Sequence, residues 1–66
     1  AALQALSQRE LEVVRLFAQG QTLDEIAANL GRAKTTVATH KKNAMDKLGV
    51  IGNTELIRYA FEANLV

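Results

Sequence analysis

The sequence predicts an all-α domain of four short helices with a helix-turn-helix at its centre, and three observations support this fold class. Proline is absent and aromatic residues make up only 5% of the chain, whereas β-sheets favour aromatic and β-branched side chains. Four stretches carry apolar residues at helical spacing, and capping residues or glycines bound each stretch. At 66 residues, the chain has room for one domain only.

The first two helices each begin with a capping box. Residues 7–10 read Ser-Gln-Arg-Glu and residues 22–25 read Thr-Leu-Asp-Glu. In this motif the hydroxyl accepts a hydrogen bond from the third helical N–H, and the glutamate side chain accepts one from the backbone of the capping residue. Gly20 and Gly31 follow the two apolar stripes, and we expect both to end helices because glycine readily adopts the left-handed conformation.

The third helix is predicted over residues 34–48, before Gly49, and the fourth over residues 53–62, with Asn53 as its cap. Lys41 falls close to the apolar stripe of the third helix, and we expect its stem to pack while its ammonium reaches solvent. The residues expected to be buried on these two helices are Val37, Ala44, Met45, Leu48, Leu56, Ile57, Ala60 and Phe61. Leu65 is expected to fold back over the core.

The turn at residues 31–33 gives residues 23–42 the spacing of a helix-turn-helix. Residues 31–50 hold five basic residues and one acidic residue, a net charge of +4, which favours a polyanionic partner. A helix fits the major groove of DNA, which is about 12 Å wide. The face opposite the apolar stripe presents Thr35, Ala38, Thr39, Lys42, Asn43 and Asp46, flanked by Thr36 and Lys47. We expect this face, without Asp46 and with Lys34 at the helix N-terminus, to contact the phosphates and base edges of DNA.

The composition argues against several other functions. Ser7 and His40 are the only serine and histidine and lie far apart in the sequence, and the chain has no cysteine. We therefore do not expect an enzyme. We also expect no site for a metal, a cofactor or a small molecule. No apolar run approaches the ~18 residues of a membrane span, so we expect a cytoplasmic protein with no membrane partner. Because the chain begins Ala-Ala without methionine, we expect it to be a fragment of a longer protein.

Several motifs together resemble a known family. They are residues 6–10 (Leu-Ser-Gln-Arg-Glu), 18–20 (Ala-Gln-Gly) and 25–27 (Glu-Ile-Ala), with the more specific Thr35-Thr36-Val37, His40 and residues 47–50 (Lys-Leu-Gly-Val). Across residues 6–66, without gaps, the chain resembles the LuxR/NarL-type (GerE-like) DNA-binding domain. This module forms the C-terminal end of many bacterial response regulators and quorum-sensing regulators. Within the family, Arg32 and residues 41–45 are most similar to RcsB-type response regulators of two-component systems.

The resemblance implies sequence-specific binding of double-stranded DNA by a bacterial transcriptional regulator, which would be nucleoid-associated when bound and could also contact RNA polymerase. By position, it implies groove contacts from Ala38, Thr39 and Lys42, phosphate contacts from Lys34, Thr36 and Lys47, and a homodimer on DNA through Ile51, Thr54 and Arg58. The sequence departs from the family pattern at Arg32, at Ala33, where a serine cap is usual, and at Ala38, where lysine is common.

Two alternatives remain open from the sequence. Region 4 of a sigma factor resembles the same helix-turn-helix, but it usually lacks a well-formed helix after the recognition helix, which residues 53–62 would supply here. A helical protein-interaction module would bind no DNA at all. The salt dependence of DNA affinity separates this module from a DNA-binding domain, because phosphate contacts release counterions.

Overall fold

The computed structural model describes residues 2–65, and within that range it contains helices and no strand, which confirms the all-α prediction. A short 3-10 helix, Ala2–Ala5, comes first and was not predicted. Four α-helices follow: α1 spans Gln8–Ala18, α2 spans Leu23–Leu30, α3 spans Lys34–Leu48 and α4 spans Asn53–Glu62.

Both predicted capping boxes are formed. Ser7 Oγ accepts from the backbone N–H of Glu10 at 3.2 Å, and Glu10 Oε1 accepts from the backbone N–H of Ser7 at 2.9 Å. Thr22 and Glu25 make the same reciprocal pair at 3.2 and 2.8 Å. Gly31 closes α2 with a φ of 65°, a left-handed conformation that glycine adopts without a steric penalty.

The predicted cap of α4 is wrong. Gly52, at φ 84°, occupies the cap position, and no side chain caps this helix. Asn53 is instead the first helical residue, and its Oδ1 accepts a hydrogen bond from Lys41 Nζ at 2.6 Å. The first turn of α4 is tied to the preceding loop by Glu55, whose Oε2 accepts from the backbone N–H of Ile51 at 3.1 Å.

The core divides into two clusters that share α1. One cluster joins α1 to α3 and α4 and contains Val14, Ala18, Ala44, Leu56 and Ala60. The other joins α1 to α2 and α3 and contains Val13, Ile26, Ala27 and Val37. Because the neighbours Val13 and Val14 belong to different clusters, α1 holds the helix-turn-helix on one side and α4 on the other. Leu65 packs on the first cluster, as predicted.

Two predicted placements on the helical faces need correction. Phe61 is 58% exposed, because at 100° per residue it lies roughly 100° from Ala60 and 140° from Leu56, the two fully buried residues of α4. The Lys41 ammonium is not free in solvent: it lies 4.2 Å from the centroid of the Phe17 ring. Burial lowers the pKa of Lys41 from its ordinary value.

Candidate nucleic-acid interface

The helix-turn-helix packs against α1 through its buried face, so the opposite side of α3 is exposed to solvent. Val37 is fully buried against Ile26 and Ala27 of α2, and the backbone N–H of Arg32 bonds to the carbonyl of Ala27 at 3.0 Å across the turn. Of the eight residues predicted to contact DNA, Ala38 is half-buried and the others are exposed: Lys34, Thr35, Thr36, Thr39, Lys42, Asn43 and Lys47.

The N-terminus of α3 lacks a side-chain cap. Ala33 occupies the cap position with φ −67° and ψ 148°, it is exposed, and it makes no capping hydrogen bond. This geometry matches the sequence prediction at Ala33. The first N–H groups of α3 therefore remain available, and a helix N-terminus with open N–H groups is suited to binding a phosphate.

Each of the three lysines predicted to contact DNA has a carboxylate partner in its own chain. Lys34 Nζ lies 3.5 Å from Asp24 on α2, and Lys42 Nζ lies 3.8 Å from Asp46 on α3. Both pairs are largely exposed, so each contributes at most about 1 kcal/mol to stability and can be exchanged for a phosphate.

The third pair is different, because its carboxylate is buried. Glu10 is 5% exposed, and Lys47 Nζ donates to its Oε1 at 2.8 Å. The hydrogen bond from Lys47, followed by the bond from the Ser7 backbone, holds the pKa of Glu10 below its ordinary value. The sequence indicated only the capping role of Glu10, because a partner 37 positions away leaves no local pattern. An ammonium has three N–H donors, so Lys47 can donate to Glu10 and to a phosphate at the same time.

The hydroxyl of Thr39 is oriented by the helix itself. Thr39 Oγ1 donates to the carbonyl of Thr35 at 3.0 Å, which occupies its single donor. Thr39 therefore presents a methyl group and an acceptor oxygen to a ligand. A threonine methyl suits contact with the methyl group of thymine in the major groove.

Arg32 is an exposed cation beside the open end of α3. No salt bridge found within residues 2–65 involves it. It therefore brings an uncompensated positive charge to the turn of the helix-turn-helix. The backbone N–H of Arg32 bonds to the carbonyl of Ala27, so this departure from the family pattern does not loosen the turn.

Of the residues predicted to form a dimer interface, Thr54 and Arg58 lie on α4, and Ile51 lies in the loop before it. Thr54 and Arg58 are exposed, Ile51 is 83% exposed, and Phe61 continues the stripe at i, i+4 and i+7 spacing from Thr54. Ile51 also lines an open groove of about 370 Å³ that it shares with Ala38 and Lys42 of α3. The two predicted surfaces therefore adjoin at Ile51.

Comparison with known proteins agrees with this geometry. The profile of the bacterial regulatory proteins of the luxR family (GerE) matches residues 4–60. The chain belongs to the luxR family. It is a family of DNA-binding regulatory proteins rather than enzymes, and the resemblance inferred from the motifs is confirmed.

Relatives within the luxR family are also similar over most of the chain. The transcriptional regulatory protein UhpA of Escherichia coli K12 is 46% identical over 57 residues, which cover 86% of this chain and 29% of that protein. The transcriptional regulatory protein RcsB of the same strain is 45% identical over 60 residues, 91% of this chain and 28% of RcsB. RcsB of Salmonella typhimurium LT2 gives the same values. The chain thus spans less than a third of the length of these relatives.

Within residues 2–65, no helix is long and apolar enough to cross a membrane.

Proposed function

We propose that this luxR-family domain binds double-stranded DNA sequence-specifically as the DNA-reading part of a bacterial transcriptional regulator. The observation that carries the proposal is the exposed polar and basic face of α3, held out by buried contacts to α2 at Ile26 and Ala27. In a helix-turn-helix this second helix enters the major groove. The ten-residue α4 that follows argues against the alternative of a sigma-factor region 4.

We assign the contacts to two kinds of DNA group. The middle of the exposed arc of α3 contacts base edges, and the flanks of that arc and the N-terminus of α3 contact the sugar-phosphate backbone, since contacts to phosphate position a protein while contacts to bases specify the sequence. The base-reading set is Ala38, Thr39 and Lys42, with Thr35 and Asn43 on the same face. The backbone set is Lys34, Thr36 and Lys47.

The domain dimerises on DNA through α4. Ile51, Thr54 and Arg58 form the proposed interface, and exposed Phe61 extends it. A single narrow stripe on a short helix falls below the ~1,200 Å² that a stable interface buries. Dimerisation therefore requires DNA, whose adjacent half-sites hold the two copies together. Helix-turn-helix dimers of this kind place their half-sites about one helical turn apart or at multiples of that distance.

The rest of the regulator lies outside this chain. The relatives UhpA and RcsB are more than three times as long as the matched segment, and both are named as transcriptional regulatory proteins. We place residues 1–66 as a single DNA-binding domain at the C-terminal end of a longer regulator. That regulator works in the cytoplasm, associated with the nucleoid when bound, and contacts RNA polymerase. The part of the regulator outside residues 1–66 controls its activity.

Fluorescence anisotropy with labelled duplexes tests the DNA-binding proposal. One duplex is enriched by selection from a randomised pool, and the other is unrelated. Lys42→Ala should weaken binding to the selected duplex by about 1–3 kcal/mol and to the unrelated one much less. Lys47→Ala should weaken both equally and lower the salt slope by about one.

Arg15→Ala is the control for this experiment, because it removes an exposed cation from α1, away from α3. It should leave both affinities unchanged. Circular dichroism must show that each variant is folded at the assay temperature. Salt-independent binding, or no binding of either duplex by the wild-type chain, would favour the helical protein-interaction module instead.

A further inference from the structure

Asp46 occupies the centre of the proposed DNA-reading face, although a carboxylate there faces a polyanion. It lies nine positions after Val37, one of the two fully buried residues of α3, which places it about 180° around the helix from Val37. Lys42 lies about 140° from Val37 by the same count. The Asp46 side chain is 69% exposed, and its Oδ2 lies 3.8 Å from Lys42 Nζ.

Helix stability does not account for this aspartate. Asp46 lies in the last turn of α3, which ends at Leu48, and acidic groups near a helix C-terminus interact unfavourably with the helix dipole. Its pair with Lys42 places the lysine before the acid, which is the weaker order for an i, i+4 pair. Both side chains are exposed, so solvent screens the pair as well. A residue that opposes its local helix and the charge of its target indicates a functional role.

Asp24 provides the contrast. It also pairs with a lysine of the proposed interface, Lys34, at 3.5 Å. Asp24 lies in the first turn of α2, however, where an acidic side chain stabilises a helix through its dipole. Its position therefore has a structural reason that Asp46 lacks.

We propose that Asp46 is a specificity-determining residue that reads a cytosine within about two base pairs of the base contacted by Lys42; this inference rests on the proposed function. The carboxylate accepts a hydrogen bond from cytosine N4, and Lys42 donates to guanine O6 and N7. Four residues of helix rise by about 6 Å, and base pairs are stacked about 3.4 Å apart. The two contacts therefore fall within about two base-pair steps.

The same carboxylate lowers affinity for unrelated DNA. Where no cytosine N4 group is present, the Asp46 carboxylate has no hydrogen-bond donor on the DNA. Its charge then repels the phosphates, and its ion pair with Lys42 remains in place. Asp46 thus increases the ratio of specific to non-specific binding, which is the quantity that matters against a genome of competing sites.

The experiment compares the wild-type chain with Asp46→Asn, Asp46→Ala and Asp24→Asn, each used to select duplexes from a pool with a randomised centre. The wild type should enrich one position for cytosine by about tenfold. Asp46→Asn should shift that position towards adenine, because an amide pairs with adenine N6 and N7, and Asp46→Ala should abolish the preference. Both changes should raise the affinity for an unrelated duplex several-fold.

Asp24→Asn is the matched control, since it also removes a carboxylate from an interface lysine. It should raise affinity for selected and unrelated duplexes by the same factor and leave every base preference unchanged. If both Asp46 variants behave in that way, Asp46 is only an electrostatic brake and the proposed cytosine contact is wrong. If the wild type enriches no sequence and shows no salt-dependent binding, the proposed function itself fails.

Discussion

The pair between Glu10 and Lys47 joins the start of α1 to the end of α3, and its removal should destabilise the domain. Lys47→Met keeps the length and apolar stem of the side chain but removes the ammonium, which leaves a carboxylate that is 5% exposed without its cation. Loss of a hydrogen bond to a charged group costs about 1.5–3 kcal/mol. The 3–5 kcal/mol of a fully buried pair is an upper bound here, because the Lys47 side chain is 39% exposed and solvent screens its charge.

The expected change is large enough to measure in a domain of this size. Each kcal/mol shifts the melting temperature of a small domain by about 4–8 °C, so Lys47→Met should lower it by roughly 6–24 °C. Urea denaturation followed by circular dichroism gives the free energy of unfolding directly. Glu10→Gln and the double variant complete a cycle that isolates the coupling between the two side chains.

The pH dependence of stability provides an independent check. The pKa of Glu10 is lowered in the folded state from its ordinary value of 4.5. Its contribution is therefore fully present above about pH 4.5 and is lost as the pH falls towards the lower folded-state pKa. Glu10→Gln should remove this part of the acid-induced loss of stability. A coupling energy near zero, together with the same acid profile in wild type and Glu10→Gln, would refute a stabilising role for the pair.

Further predictions concern helix capping and assembly. Ala33→Ser should raise the free energy of unfolding by about 0.5–1 kcal/mol, since a serine cap can bond an open N–H of α3; unchanged stability in urea would show that those groups are already satisfied. The isolated chain should sediment mainly as a monomer at micromolar concentration, and a tight dimer without DNA would contradict this. Phe61→Ser should reduce cooperative binding to a duplex with two half-sites and leave the melting temperature nearly unchanged, because the ring is 58% exposed; equal cooperativity would remove Phe61 from the interface.

The four helices and their order could be read from local patterns. Capping boxes at residues 7–10 and 22–25 and glycines at positions 31 and 49 act over a few neighbouring residues, so the sequence contains all the information that they need. The outward face of α3 followed from the helical repeat once Val37 was assigned to the core. Resemblance to a family was needed to attach DNA-contact roles to positions on that face.

Other features depended on how the helices pack against one another. Asn53 is the first helical residue of α4 rather than its cap, and its amide oxygen accepts a hydrogen bond from Lys41 Nζ, 12 positions away. The apolar residues of α4 predict a wide buried face that includes Phe61, whereas the structure fully buries only Leu56 and Ala60 on this helix. Lys47 donates to Glu10 because the packing of α1 and α3 brings the start of α1 next to the end of α3. Each of these outcomes is set by contacts between residues distant in the chain, which helical periodicity and local capping rules do not encode.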